Sequence, residues 1–321
     1  MDYAPMVTLE GVDGSQFALS AKGGTGNIWL NKGATGLDMP EWDVQTAEYP
    51  VLDGEYPIAV RGLAREIFLP LTVWGDSRPQ MVANKRRLIR ALPPNRMFAR
   101  MAKLIVAEAD ESGNYEPQRE IEVYYADGLQ GDEGSDNGLS WGKYGLVLRA
   151  PDPFFRDRAD TVISFAKTPT APKPFFPPKG EAFVSKDGLT GGFKLSSDPV
   201  FSPEMTIHNP GEISVFPTWK IVGPLEGPFN LVREATSYSP QGVLVVNSMS
   251  LAVGEFVTIV TTPGKVKVTA SNSSAGWSNL TTNPQFWALD PGDNQVSIQG
   301  LNPGQEPSFM SASFRVKYLG I

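Results

Sequence analysis

The feature that most limits what this chain can fold into is its load of glycine and proline, 32 and 28 residues among 321. An ordinary globular chain carries about 12% of the two together; here they make up about 19%. Glycine opens positive φ, and proline locks φ and removes a backbone donor. Such a load suits turns, bulges and strand ends rather than long helices. The 17 Phe, 9 Tyr and 7 Trp supply apolar surface for packed cores, which excludes a wholly disordered chain. The expected class is mainly β, in two domains at this length.

Two other scarcities exclude chemistry. There is no cysteine and one histidine, so disulfides, thiol nucleophiles and multi-histidine metal sites are absent. Any Ser-His-Asp triad would have to use His208, which ends a strand-like stretch in MTIHNPGE and reads as an exposed or hydrogen-bonded histidine. GGTGNIW at 23–29 puts Trp29 where a dinucleotide fingerprint needs its third glycine. The Gly-Lys pairs at 142–143 and 264–265 lack the earlier glycine of a phosphate loop, and there is no Gly-x-Ser-x-Gly elbow. No catalytic, cofactor-binding or metal-ligating residue is assigned, and the chain is expected not to be an enzyme. A hydrolase using two carboxylates would need a cleft that only geometry can reveal.

No run of 18 apolar residues occurs, so neither a transmembrane helix nor membrane insertion is expected. Nothing at the N-terminus pairs a basic region with an apolar run, so no secretory leader is expected.

The first domain is expected over residues 1–150. Ser77 as N-cap, Pro79 in the first turn, and Met81, Val82, Leu88, Ile89 and Leu92 on one face predict a helix over 78–92, stopped by Pro93-Pro94. Strands are expected at 66–74, 102–108, 119–125 and 144–150, the second and third joined by a long hairpin with an acidic tip. The second domain, 151–321, is expected to begin with a Pro-rich extension over 167–203. Strands follow at 205–208, 213–222, 229–233, 242–247, 255–261, 264–269, 285–289, 294–299 and 311–319. Their spacing predicts a sandwich or jelly roll. Trp219 and Trp287 lie in these strands and read as core. Trp277, in the polar loop SNSSAGWSNL, is the candidate for an exposed ligand contact, a sugar stacking on its ring.

Charge is uneven. Residues 1–150 carry 15 basic against 21 acidic side chains, while residues 151–321 carry 13 against 14. Neither half has the basic excess of a duplex-binding protein. The helix nevertheless presents Lys85, Arg86 and Arg87 on its polar side. Glu108, Asp110 and Glu111 at the acidic hairpin tip are their candidate partners across a subunit interface.

Several segments in collinear order resemble the distal tail protein (Dit) family of long-tailed siphovirus bacteriophages. They are LDGEYPIAVRGLAREIFLPLTVWG (52–75), LPPNRMFARMAKLIV after the helix, REIEVYYADGL, and APDPFF (150–155). In the second half, IHNPGEISVFPTWKIVGPLEGPFNLV (207–232) is similar in its Asn209, Pro210, Gly211, then Pro217, Ile221 and Gly223. GEFVTIVTTPGKVKV and FWALDPGDNQVSI complete the series. Residues 20–47 match nothing specific in it.

The resemblance implies an N-terminal β-sandwich or barrel-like domain with one α-helix, forming a homohexameric ring, and a galectin-like β-sandwich outside it. It further implies a structural virion protein of the tail tip, made in the bacterial host cytoplasm. Such a baseplate hub joins the tail tube protein to the tail-tip and receptor-binding proteins and leaves a channel for DNA, which passes without specific binding. A ring needs heterologous contacts, one face of a subunit meeting a different face of the next. The sugar-contacting set of true galectins includes histidine, and His208 stands in another setting, so no lectin site carries over. A carbohydrate-binding adhesin is the alternative function.

Overall fold

The computed structural model describes residues 5–19, 27–48, 50–51, 53–96, 98–109, 114–131, 140–165, 167–168, 200–201, 204–271, 276–301 and 309–321. Most of the 167–203 extension lies outside these, as do Asp110 and Glu111. The chain divides into two compact units, Met1–Ala159 with Arg315–Ile321, and Asp160–Phe314. The expected break after Ala150 thus differs in two ways: the first unit runs on to Ala159, and it takes back the last seven residues.

The first unit contains β1 (Met6–Glu10), β2 (Gln16–Ala18), β3 (Ile28–Leu30), β4 (Trp42–Glu48), β5 (Glu55–Gly62) and β6 (Arg65–Trp74). After α1 (Arg78–Ala91) come β7 (Ala102–Ala107), β8 (Arg119–Asp127), β9 (Trp141–Ala150) and β10 (Phe155–Asp157). One antiparallel sheet runs β2-β1-β7-β8-β9-β6-β3. Its ends meet where the Leu30 N–H donates to the Leu19 carbonyl at 2.7 Å, so the sheet rolls into a nearly closed barrel. Closure of this kind removes most of the exposed edge that would otherwise recruit another chain.

The barrel interior follows from period-2 alternation. Ile67, Leu69, Leu71 and Val73 of β6 are fully buried, as are Leu146 and Leu148 of β9, Leu104 of β7 and Leu9 of β1. Pro70 sits within β6 without breaking its ladder to β9, and its carbonyl accepts from Asn31 N–H.

The helix forms as the sequence predicts. Ser77 accepts from the Gln80 N–H, and Leu92 is the C-cap. Met81, Leu88, Ala91 and Leu92 are buried. Ile89 is not, which corrects the expected apolar face. At 100° per residue it falls one step round from Leu88, on the side of Arg86.

The second unit holds β11 (Thr161–Phe165), β12 (Lys167–Thr168), β13 (Val200–Phe201), β14 (Glu204–Asn209), β15 (Thr218–Val222) and β16 (Leu225–Arg233). It continues with β17 (Gly242–Leu251), β18 (Phe256–Val260), β19 (Lys267–Ala270), β20 (Gly292–Gln299) and β21 (Phe309–Phe314); β22 (Lys317–Tyr318) returns to the first unit. Two sheets, β11-β21-β15-β18-β19 and β14-β20-β16-β17, each bury one face, the arrangement of a β-sandwich. Trp219 and Trp287 are buried as expected and meet edge to face at 5.5 Å. The expected turn at Pro263-Gly264 joins β18 to β19, with Gly264 at φ +75°.

Three strand readings are corrected. Residues 285–289 make no ladder beyond a single bridge from Leu289 to Val215. They are held instead by the Trp287 indole, which donates to the Leu231 carbonyl and lies so close to Gly242 that a Cβ there would fall 2.6 Å from it. The strand expected over 213–222 begins only at Thr218, after Pro217. The stretch 311–319 is two strands serving different units. Among the described residues no helix is long and apolar enough to cross a membrane.

Candidate functional site

The most unusual surface lies in the first unit, where β4 and β5 form a two-stranded hairpin apart from the barrel sheet. Its register pairs Trp42 with Gly62, Asp43 with Arg61 and Val44 with Val60, and a bulge beyond Gln45 takes up Ile58. Cross-strand partners share a face, so Trp42, Val44 and Val60 stand together, and the bulge interrupts the alternation at Ile58. The opposite face carries the Asp43–Arg61 ion pair at 2.8 Å. Near the tip, Thr46 Oγ1 donates to Glu55 Oε2 at 2.8 Å.

This arm is anchored at its root. The Trp42 ring lies 6.0 Å from that of Phe154, the Leu63 N–H donates to the Glu41 carbonyl at 2.9 Å, and Gly62 approaches Pro153 and Phe154 too closely for a side chain to fit easily. Beyond that, every residue of β5 up to Arg61 is exposed. Trp42, Val44, Ile58 and Val60 are 37% to 67% exposed, in a kind of ribbon that is marginal in water by itself. Residues 41–62 carry five carboxylates, Glu41, Asp43, Glu48, Asp53 and Glu55, against one arginine. The signal was present in the sequence: alternation in WDVQTAE and in EYPIAV around the turn residues Asp53-Gly54.

The predicted interface residues divide. Lys85 turns to its own barrel, with Nζ 5.3 Å from the Tyr144 ring centroid. Arg87 lies 4.8 Å over Phe17 and donates to the Gln16 carbonyl. Arg86 is exposed and shares the outer arc of α1 with Ile89 and Arg90. The helix carries five basic side chains and no acidic one. Glu108 is exposed just past β7.

In the second unit Trp277 is half exposed, in a 3-10 turn over Trp277–Asn279, and its ring lies 6.2 Å from that of Phe286. Asn279 fixes the turn, accepting from the Gly276 N–H and donating to the Ser248 carbonyl. His208 Nδ1 lies 2.7 Å from Asp293 Oδ1 on the surface. No group of three or more Asp, Glu or His side chains fit to hold a metal occurs among the described residues.

Two compact β units, the first a helix-bearing barrel with a two-stranded arm, define a fold that one solved phage protein shares. The structure is similar to the SPP1 Dit (gp 19.1) protein, described as a paradigm of the hub adsorption apparatus in phages infecting Gram-positive bacteria. The TM-score is 0.59 at 12% identity, covering 98% of this chain and 99% of that one. Chains of the phage P2 baseplate in its activated conformation align at TM-scores of 0.47 with Ca (10% identity, 99% and 100% covered) and 0.46 with Sr (10% identity, 98% of each covered). No family profile matches the chain, and no curated protein sequence matches it.

Proposed function

We propose that the chain is a non-enzymatic structural protein of a bacteriophage tail, a distal hub whose copies close into a homohexameric ring. The observation that carries this reading is the alignment to the SPP1 Dit fold across 98% of the chain, which takes in both units. In this reading the first unit forms the ring and the second, a galectin-like sandwich, stands outside it. The ring joins the tail tube to tail-tip and receptor-binding proteins in the virion, and DNA passes through its centre. The acidic excess of residues 1–150 suits such a channel, since carboxylates repel phosphate whereas a basic lining would hold it through counterion release.

Negative-stain imaging and native mass spectrometry of the purified full chain test the reading. Six-fold rings are expected, alone or with the tail tube protein added, and a chain that stays monomeric in both settings would sink it. A second reading, a carbohydrate-binding adhesin, draws on the half-exposed Trp277 beside Phe286. It predicts glycan-array binding that Trp277→Ala abolishes.

A further inference from the structure

We propose that the β4–β5 arm of one copy docks on the outer arc of α1 of a second copy. The proposal rests on the ring reading and names the contact that would close the ring. One half of the contact is the arm's apolar face, open among the described residues: Val44 and Val60 are each about half exposed. The other half is the arc of α1 where Ile89, 41% exposed, neighbours Arg86 at i,i+3, and Arg86 neighbours Arg90 at i,i+4.

Charge selects the pairing. The arm is strongly acidic, with Glu48 and Glu55 paired across its tip, and α1 carries basic side chains alone. Apolar contact at the centre with opposite charges at the rim is the anatomy of a specific interface.

Geometry makes the contact intermolecular. The arm's root precedes Arg65 and α1 follows Trp74, so they join opposite ends of β6, about 30 Å apart at ~3.3 Å per residue. The arm and the helix are different surfaces, so the contact is heterologous and propagates from copy to copy until it closes. In this contact the arm, and not the Glu108 hairpin tip, is the acidic partner of the helix, and Arg86 is one of the helix residues that meets it.

The chain has no cysteine, which gives cross-linking a clean background. Full-length chains bearing Val60→Cys are mixed with chains bearing Ile89→Cys under mild oxidation. A disulfide dimer is expected in the mixture and in neither variant alone. Glu48→Arg with Glu55→Arg is expected to weaken assembly at least ~10-fold, as is Arg86→Glu with Arg90→Glu, and the four changes together are expected to restore it. All these positions are exposed, and circular dichroism checks that each variant folds. Rings that persist through both charge reversals, with no mixed disulfide, overturn the arm contact while leaving the ring reading in place. A chain that is monomeric at every concentration, with or without the tail tube protein, and gives no disulfide overturns both.

Discussion

The Arg65 guanidinium donates through Nη2 to the main-chain carbonyl of Leu319, 254 residues further along the chain. The same side chain donates to the carbonyls of Pro153 at 2.7 Å, Gly36 at 3.0 Å and Asp38, and it lies over the Phe155 ring. One buried cation thus ties three distant segments together using backbone acceptors alone. Burial lowers its pKa to about 10, which leaves it charged at neutral pH. Arg65→Ala would leave four carbonyls without this donor, and is expected to cost the first unit about 3 kcal/mol or more. Urea unfolding measures it. Deleting residues 316–321 is expected to lower the same transition, and an unchanged midpoint would show that the returning segment carries no stability.

Glu120 gathers four cations from three segments. Its carboxylate, 2% exposed, lies 3.0 Å from Lys103, 2.9 Å from Arg315, 3.3 Å from Arg156 and 3.9 Å from Arg158. Glu120→Gln removes the charge all four share, while Arg156 keeps its pair with Glu122 at 2.5 Å. Removing one partner of a buried pair costs ~3–5 kcal/mol, but these cations are partly solvated, so about 2 kcal/mol is expected. A double-mutant cycle with Arg315→Met should show coupling between the two changes.

Asp290 sets an acid limit on the second unit. Burial pushes its carboxyl up, but hydrogen bonds from Thr236, Ser214 and Ser239 and the charge of Arg233 outweigh that, and the pKa ends below the usual value. The folded state therefore binds fewer protons than the unfolded one near pH 4. The stabilisation is complete above the unfolded value of ~3.9 and is lost as pH falls through the lower folded value. Asp290→Asn is expected to cost about 3 kcal/mol at pH 7, because Arg233 is left buried without its partner charge, and to flatten the acid limb of a stability–pH curve.

Asp157 has the opposite sign. Its Oδ1 is buried with no partner among the described residues, and burial raises its pKa despite the Tyr318 hydroxyl and the Arg119 charge. The folded state holds this proton longer than the unfolded one, so the group's contribution falls as pH rises from ~3.9 through the folded value. Asp157→Asn is expected to raise the first unit's stability by about 1 kcal/mol at pH 7. The gain should disappear at pH 3, where the wild-type carboxyl is protonated too.

How far the sequence reached can be judged residue by residue. The helix was legible because Ser77, Pro79 and Pro93 mark its ends through local rules of capping and ring geometry. β6 and β9 were legible because their alternation reports burial, and β7 because its run of apolar residues does. β2 and β3 were not, since three residues are too few to show a period, although Leu19 and Leu30 close the barrel. The arm escaped because its apolar residues are exposed, so its alternation has no core behind it. Residues 285–289 misled because Trp287 is buried by its own packing and not by a ladder.

By itself, then, the sequence determined class and punctuation: a β-rich chain, where it turns, which residues avoid water, and the lack of thiols and of all but one imidazole. These depend on neighbours a few positions apart. Only the tertiary structure decided which unit each strand serves. Residues 311–319 alternate like one strand, yet Phe314 pairs with Thr161 in the second unit while Lys317 pairs with Arg156 in the first. Alternation records that a side chain is covered but not by which partner. That choice is made by contacts such as Arg65 with Leu319, between residues that meet only after the chain has folded.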